Sequence, residues 1–280
     1  MPGAGPGMSL SRPVVFFLSD YGLADEFVGV VHGVLVRLVP DVAIVDLTHG
    51  IPPFDVRAGA ESLARAVPHL GPGVVLAIVD PGVGSTRRAV AMRAGDGRWF
   101  VAPDNGLALP AAEASGRVTA ARVLKKPVDL PATFDGRDVF APAAGALAAG
   151  ADPASVGDEV DPASLVRLPP LEVTRRQEGD RVVLRAPIAW VDRFGNVQLA
   201  AGALEGPPSG AQKVLIRVEP QEPPRRRELL ARRVLAFADL DDGEAGVLAD
   251  ANGRLAIVVR EGSAAKTIGL RTGGSVELVW

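Results

Sequence analysis

Four times along this chain an apolar run stops at an aspartate and then turns through glycine, an ending that calls for strands delivering carboxylates into loops. The clearest case is Leu76-Ala77-Ile78-Val79, which reads as a buried strand and gives way to Asp80-Pro81-Gly82-Val83-Gly84. Neither a sheet nor a helix continues through that Pro-Gly step. Open α/β sheets bind ligands beyond the carboxyl ends of their strands, and Asp80 stands at such an end. Arg87 and Arg88 follow closely enough to fold back on the acid, holding it ionised and oriented. A structural aspartate capping its own turn accounts for this one motif equally well.

The same ending recurs elsewhere. The apolar run 14–18 ends at Ser19-Asp20-Tyr21-Gly22, followed by Asp25 and a helical pattern through Val28, Val31, Val34, Leu35 and Leu38. Trp99-Phe100-Val101-Ala102 ends at Pro103-Asp104-Asn105-Gly106, and Ile188-Ala189-Trp190-Val191 ends at Asp192-Arg193-Phe194-Gly195-Asn196. The repetition points to a site rich in carboxylates, suited to hydroxyls or a cation.

With 280 residues, 48% of them hydrophobic and 22% charged, the chain can bury a substantial core, enough for two domains. No apolar run approaches the roughly 20 residues of a membrane span, and the first dozen residues lack a signal-peptide stretch. Residues 1–12 read as a disordered Gly/Pro tail. The absence of cysteine excludes disulfides and thiolate chemistry and fits a cytoplasmic protein. A net charge of −3 argues against nucleic acid as partner, the exception being Arg225-Arg226-Arg227 with Arg232-Arg233, a run that reads as a solvated face.

From 13 to 150, strand-like runs alternate with helical stretches such as 56–67 and 139–148, which implies a mostly parallel α/β sheet domain. Residues 151–170 read as a linker, because Asp152-Pro153, Asp161-Pro162 and Pro169-Pro170 interrupt regular structure. From 171 to 280 the runs are short and bounded by turns: 181–186, 214–218, 245–249, 255–259 and 275–279 suggest a small β-barrel or sandwich.

There is no phosphate-binding loop, and Gly82-Val83-Gly84 lacks the spacing of a dinucleotide fingerprint. His32, His49 and His69 are scattered without metal-ligand spacing, so no metal is expected; His49, in the turn-rich Thr48-His49-Gly50-Ile51-Pro52-Pro53, reads as a structural histidine.

Six ordered motifs carry a resemblance over almost the whole chain from Val14 onward. They are Ser19-Asp20-Tyr21-Gly22 with Asp25, Leu47-Thr48-His49-Gly50-Ile51-Pro52-Pro53, Val79-Asp80-Pro81-Gly82-Val83-Gly84 with Arg87, Pro103-Asp104-Asn105-Gly106, Thr133-Phe134-Asp135-Gly136-Arg137-Asp138, and Asp192-Arg193-Phe194-Gly195-Asn196. Together they resemble the S-adenosyl-L-methionine hydroxide adenosyltransferase family, relatives of the fluorinases and chlorinases. The resemblance implies an N-terminal α/β domain with a C-terminal β-barrel, and a homotrimer with sites between subunits. It implies attack of water at the ribose C5′ of S-adenosyl-L-methionine, giving adenosine and L-methionine without a cofactor.

The resemblance also assigns roles. Asp20 would bind the ribose hydroxyls, and Asp25 and Asp192 the methionine ammonium. Phe54 would form an aromatic wall, Phe194 and Asn196 would address adenine with Asn252 as a further candidate, and Thr133 and Phe134 would line the reacting centre, where Gly136 leaves space. Asp80 and Arg87 match two of the three residues with which the hydrolases position water. The third departs from the pattern: Thr-Phe-His-Gly-Arg-Asp reads here with Asp135 in place of histidine. Asp135 could take over the water, with Arg87 offsetting two neighbouring acids. Retained hydrolysis is the expectation. The alternatives are a halide-dependent, chlorinase-like adenosyltransferase, against which the acid at Asp80 weighs, and a protein that binds S-adenosyl-L-methionine or adenosine with little turnover.

Overall fold

The computed structural model describes residues 12–126, 133–209, 211–218 and 227–280. The tail expected over 1–12 lies outside them except for Arg12, as do Arg225 and Arg226 of the basic run. The chain divides into two compact units, Met1–Leu168 and Pro169–Trp280.

The first unit runs β1 (Val14–Ser19), α1 (Phe27–Leu38), β2 (Ala43–Thr48), α2 (Val56–Ala66), β3 (Val74–Ile78), β4 (Ala89–Arg93), β5 (Trp99–Pro103), α3 (Leu109–Ala114), β6 (Ala120–Leu124), α4 (Ala141–Ala148), α5 (Pro153–Val156) and β7 (Gly157–Val160). Its sheet has the order β2-β1-β3-β5-β4-β6-β7, parallel from β2 to β5 and antiparallel beyond. Every residue of β3 is buried, as a central parallel strand covered on both faces requires. α1 packs on α4, and α2 packs on α3. One core cluster joins Val31 and Leu35 of α1 and Ala144 and Leu147 of α4 to Phe17 of β1 and Leu76 of β3. β1 leads through α1 to β2 on one side, whereas its other neighbour is β3. The connections after β1 and β3 therefore diverge, which opens a crevice at the carboxyl ends of these two strands.

The stretch read as a linker is instead ordered and belongs largely to this unit. Asp152 and Asp161 accept bonds from the amides of Ala154 and Ala163, each 2.9 Å, with proline at the next position. These Asp-Pro pairs start helical turns, since proline fits the first turn of a helix. β7 then adds to β6 as an antiparallel edge strand. Gly157 makes that approach possible: a Cβ there would lie 2.2 Å from the Val123 carbonyl oxygen and 3.0 Å from Leu124 Cα.

The second unit contains β8 (Thr174–Glu178), β9 (Arg181–Val191), β10 (Val197–Gly202), β11 (Val214–Val218), β12 (Arg227–Arg233), β13 (Ala245–Ala249), β14 (Arg254–Val259), α6 (Ala264–Ile268) and β15 (Ser275–Val279). Strands β10-β14-β13-β12-β11-β15-β9 follow one another, and the pairing of β9 with β10 closes them into a seven-stranded barrel flanked by β8. The fold class expected from the sequence is thus the one observed, and barrel replaces sandwich because β9, eleven residues long, pairs along its length with β15 and then β10. Among the described residues no helix is long and apolar enough to cross a membrane.

Gly157→Ala meets backbone that no rotamer change can clear, so it should destabilise the protein by about 1–3 kcal/mol, the usual range for overpacking. A lowered denaturation midpoint in chemical melts is the expected result; an unchanged midpoint would count against the β6–β7 packing described.

Candidate active site

Asp20 and Asp80 leave the adjacent ends of β1 and β3 and face one cavity of about 450 Å³. Its lining comprises Asp20, Tyr21, Asp25, Phe27, Pro53, Phe54, Asp80, Val83, Thr133, Phe134, Asp135 and Gly136. Eight residues singled out from the sequence as catalytic or substrate-binding lie in this unit. Seven of them line the cavity, and the eighth, Arg87, bonds to two of its acids. Asp20 also shapes the wall, because its Oδ2 accepts the Phe54 amide at 2.9 Å. Phe54 has a φ of +67°, which costs a non-glycine residue on the order of 1–3 kcal/mol unless its surroundings impose it. The Asp20 bond is one such constraint, and it leaves the Phe54 ring exposed.

Deeper in, two buried carboxylates share one guanidinium. Arg87 donates through Nε to Asp80 Oδ1 at 3.0 Å and through Nη2 to Asp80 Oδ2, and the same Nη2 reaches Asp135 Oδ2 at 2.7 Å. None of the three side chains is more than 8% exposed. Lys126 Nζ completes the group, 3.0 Å from Asp135 Oδ2. Burial pushes the Asp80 carboxyl above its ordinary value, and the Asp135 charge pushes the same way, against the downward pull of Arg87 and the Gly82 amide. Asp80 is therefore a stronger proton acceptor than a solvated carboxylate.

Aromatic rings form the remaining walls. Tyr21, Phe27 and Phe134 meet pairwise at centroid distances of 5.2–5.9 Å. Burial, together with the charges of Asp20, Asp80 and Asp135, raises the Tyr21 phenol, so it stays a neutral donor. Gly136 opens a π-helical turn (Gly136–Phe140) ahead of α4. A Cβ at Gly136 would come 2.2 Å from the Tyr21 hydroxyl, so the space this glycine leaves is taken by Tyr21.

Not every strand-end acid lines this cavity. Arg88 turns away from Asp80 to pair with buried Asp104, whose other oxygen accepts the Val166 amide at 2.9 Å. Asp104 thus anchors the segment after β7. Asp192, Phe194, Asn196 and Asn252 lie in the second unit. Asp192 accepts bonds from the amides of Phe194 and Asn196 and from Asn196 Nδ2, all at 2.9 Å, so its own turn already employs both of its oxygens. Phe194 is 76% exposed, and Asn252 sits in the turn closed by Asp250. Sequence reasoning missed Lys126 and the role of Tyr21. Lys126 carries no motif spacing, and its partner lies nine residues on.

The histidines also depart from expectation. His32 of α1 and His49, just past β2, converge on Asp46, with Nε2 to Oδ1 distances of 2.9 and 3.0 Å. His49 Nδ1 lies 2.8 Å from Ser19 Oγ. The Ser19-His49-Asp46 order has the look of a hydrolytic triad, but Ser19 is fully buried and out of a substrate's reach.

Comparisons with known proteins agree with this architecture. Residues 15–157 match the family model for the SAM hydroxide adenosyltransferase N-terminal domain, and residues 186–277 match that for the C-terminal domain. The (R)-S-adenosyl-L-methionine hydrolase of Salinispora tropica is 47% identical over 266 residues, covering 93% of this chain and 95% of the relative. That of Salinispora arenicola is 43% identical, covering 96% and 98%. Fluorinases are among the more distant relatives. An uncharacterized conserved protein from Thermotoga maritima superposes with a TM-score of 0.82 at 34% identity, covering 94% of this chain and 99% of that one. With both domain models matched in order, and relatives this similar over nearly its full length, the chain belongs to the SAM hydroxide adenosyltransferase family.

Proposed function

We propose that this protein hydrolyses S-adenosyl-L-methionine to adenosine and L-methionine, and that its substrate has the R configuration at sulfur for which its relatives are named. The observation that carries the reading is the pair of buried carboxylates, Asp80 and Asp135, held on Arg87 beside a cavity of acids and aromatic rings. Such walls suit a sulfonium, since carboxylates and aromatic faces both attract a cation. The sulfonium is already a good leaving group, so the protein has to align an oxygen nucleophile opposite sulfur and exclude competing water.

In this reading Asp80 orients a water and takes its proton as the oxygen bonds to C5′. The C5′–S bond breaks with its electron pair going to sulfur, and the neutral thioether leaves as methionine. Asp20 takes the ribose hydroxyls with the acceptor capacity that the Phe54 amide leaves it. Asp25 faces the ammonium, and Phe54, Thr133 and Phe134 enclose the reacting centre. Asp135 stands where the family pattern has histidine, and its bonds to Arg87 and Lys126 favour retained turnover over a binding protein. No step requires a cofactor or metal. For a halide-dependent transferase the same acids are an obstacle, because they repel an anionic nucleophile.

The reading includes a cytoplasmic homotrimer. Its support is the family pattern, together with exposed Val36 and Leu38 on α1 and Val45 on β2, apolar surface that a second copy would cover. Light scattering should return three times the 29.0 kDa chain mass; a monomer would overturn this part of the reading.

Incubation with S-adenosyl-L-methionine, with and without chloride or fluoride, should yield adenosine alone by chromatography and mass. Asp80→Asn should lower kcat by roughly 10²–10⁴, the usual worth of a general base, with calorimetric affinity for substrate nearly unchanged. Equal loss of affinity and turnover would instead mark Asp80 as a binding residue, and a halogenated nucleoside would move the protein to the transferase class. The pH profile follows from the raised Asp80. Activity requires the ionised form, so kcat/KM should fall as pH drops through a value above the ordinary carboxylate pKa of about 4. Arg87→Gln removes a charge that pulls this value down, and should move the acid limb to still higher pH; a limb that stays in place would assign it to another group.

A further inference from the structure

We propose that His32, Asp46 and His49, none of which lines the cavity, form a binding site for a zinc-class transition-metal dication that serves to clamp the fold. One ligand atom from each residue lies within 4.8 Å of the other two. Two imidazoles and a carboxylate are a ligand set that zinc and its neighbours accept, with a water in the fourth position. Metal–ligand bonds of about 2.0–2.2 Å place tetrahedral ligands about 3.3 Å apart. The present contacts of 2.9 and 3.0 Å to Asp46 need to open by only a few tenths of an ångström, and the two histidine nitrogens settle at the same spacing from a separation of no more than 4.8 Å. Asp46, with its side chain 40% exposed, has room to make that adjustment.

His49 separates this arrangement from an ordinary surface ion pair. Its side chain is only 4% exposed, yet Nε2 has no hydrogen-bond partner: Asp46 Oδ1 is near enough in distance but off the hydrogen-bond line. A buried ring nitrogen left in this way is costly, and metal-ligating histidines characteristically have the other nitrogen fixed by a neighbour. Ser19 Oγ holds Nδ1 at 2.8 Å, and the Phe17 ring packs on the imidazole at a centroid distance of 4.6 Å. His49 is thus held with Nε2 toward His32 and Asp46 before any ion arrives. A proton shared along His32, Asp46 and His49 would require Nε2 of His49 to be aligned on the carboxylate, and it is not.

The position suggests what the ion does. It would tie α1 to the end of β2, beside the His49 carbonyl that accepts the Gly22 amide at 2.8 Å. Gly22 follows Asp20 and Tyr21 of the cavity wall, so the clamp would steady that loop without touching the substrate.

The test uses untagged full-length protein, stripped with chelator and titrated with Zn²⁺ and with Co²⁺. Readouts are calorimetry, cobalt ligand-field absorption and the melting midpoint, which rises when an ion binds only the folded state. One ion per chain, a low-coordinate cobalt spectrum and a raised midpoint are expected. His32→Gln should weaken affinity at least tenfold while melting like wild type in chelator, because His32 is part-exposed. His69→Gln, on the exposed third histidine, should bind as wild type does. No stoichiometric binding, or binding that survives both His32→Gln and Asp46→Asn, would overturn the site. Adenosine formation is measured separately, so that failure of the metal site and failure of the hydrolase reading are told apart.

Discussion

The interaction on which this site depends is the sharing of Arg87 between Asp80 and Asp135. The two buried carboxylates repel one another, and Arg87 bonded to both offsets that repulsion. Arg87 suits the task because its planar fork meets Asp80 side-on through Nε and Nη2 and still leaves the second Nη2 hydrogen for Asp135. Its guanidinium also lies 5.3 Å from the centre of the Phe140 ring, which limits where it can swing. Phe140 closes the π-helical turn that Asp135 precedes, so the turn, the cation and both acids are fixed together.

The sheet explains how these groups meet. Asp80 comes from the end of β3, Asp20 from the end of β1 beside it, and Asp135 from a segment 55 positions beyond Asp80 that returns ahead of α4. A parallel sheet aligns the carboxyl ends of neighbouring strands, and the divergence of the chain after β1 and β3 keeps a helix from covering the gap. The same geometry leaves Phe54 in a left-handed conformation held by Asp20, so the acid assigned to ribose also shapes the aromatic wall above it.

Much of this was legible in the sequence, for a physical reason. Strands 214–218, 245–249, 254–259 and 275–279 fall where apolar runs meet turn residues, since short barrel strands are defined by the turns between them. The strand-end acids were legible as acids but not as ligands: a turn motif states where a carboxylate starts, not which partner claims it. Asp104 and Asp192 read like Asp20 and Asp80, yet Arg88 and the amides of its own loop satisfy them. Residues 151–170 misled because Asp-Pro both interrupts regular structure and starts helical turns, and only the pairing of β7 with β6 decides between the two. Lys126 and the meeting of His32 with His49 were invisible, because each depends on partners brought together by the fold rather than by spacing.

Charge balance shows why aspartate can stand where the family pattern has histidine. A neutral imidazole beside Arg87 would leave the cation to Asp80 alone, whereas Asp135 adds a charge that must be met. Lys126 meets it at 3.0 Å, and the inner group then holds two acids and two bases. Asp20 and Asp25, less buried than Asp135, add acid without a matching base among the described lining residues. The excess negative charge lies on the outer wall, where the proposed sulfonium and ammonium would enter, while in the proposed reaction the balanced inner group would hold the water. That distribution favours a cationic substrate and an uncharged nucleophile together, because a halide would have to pass the outer carboxylates to reach C5′.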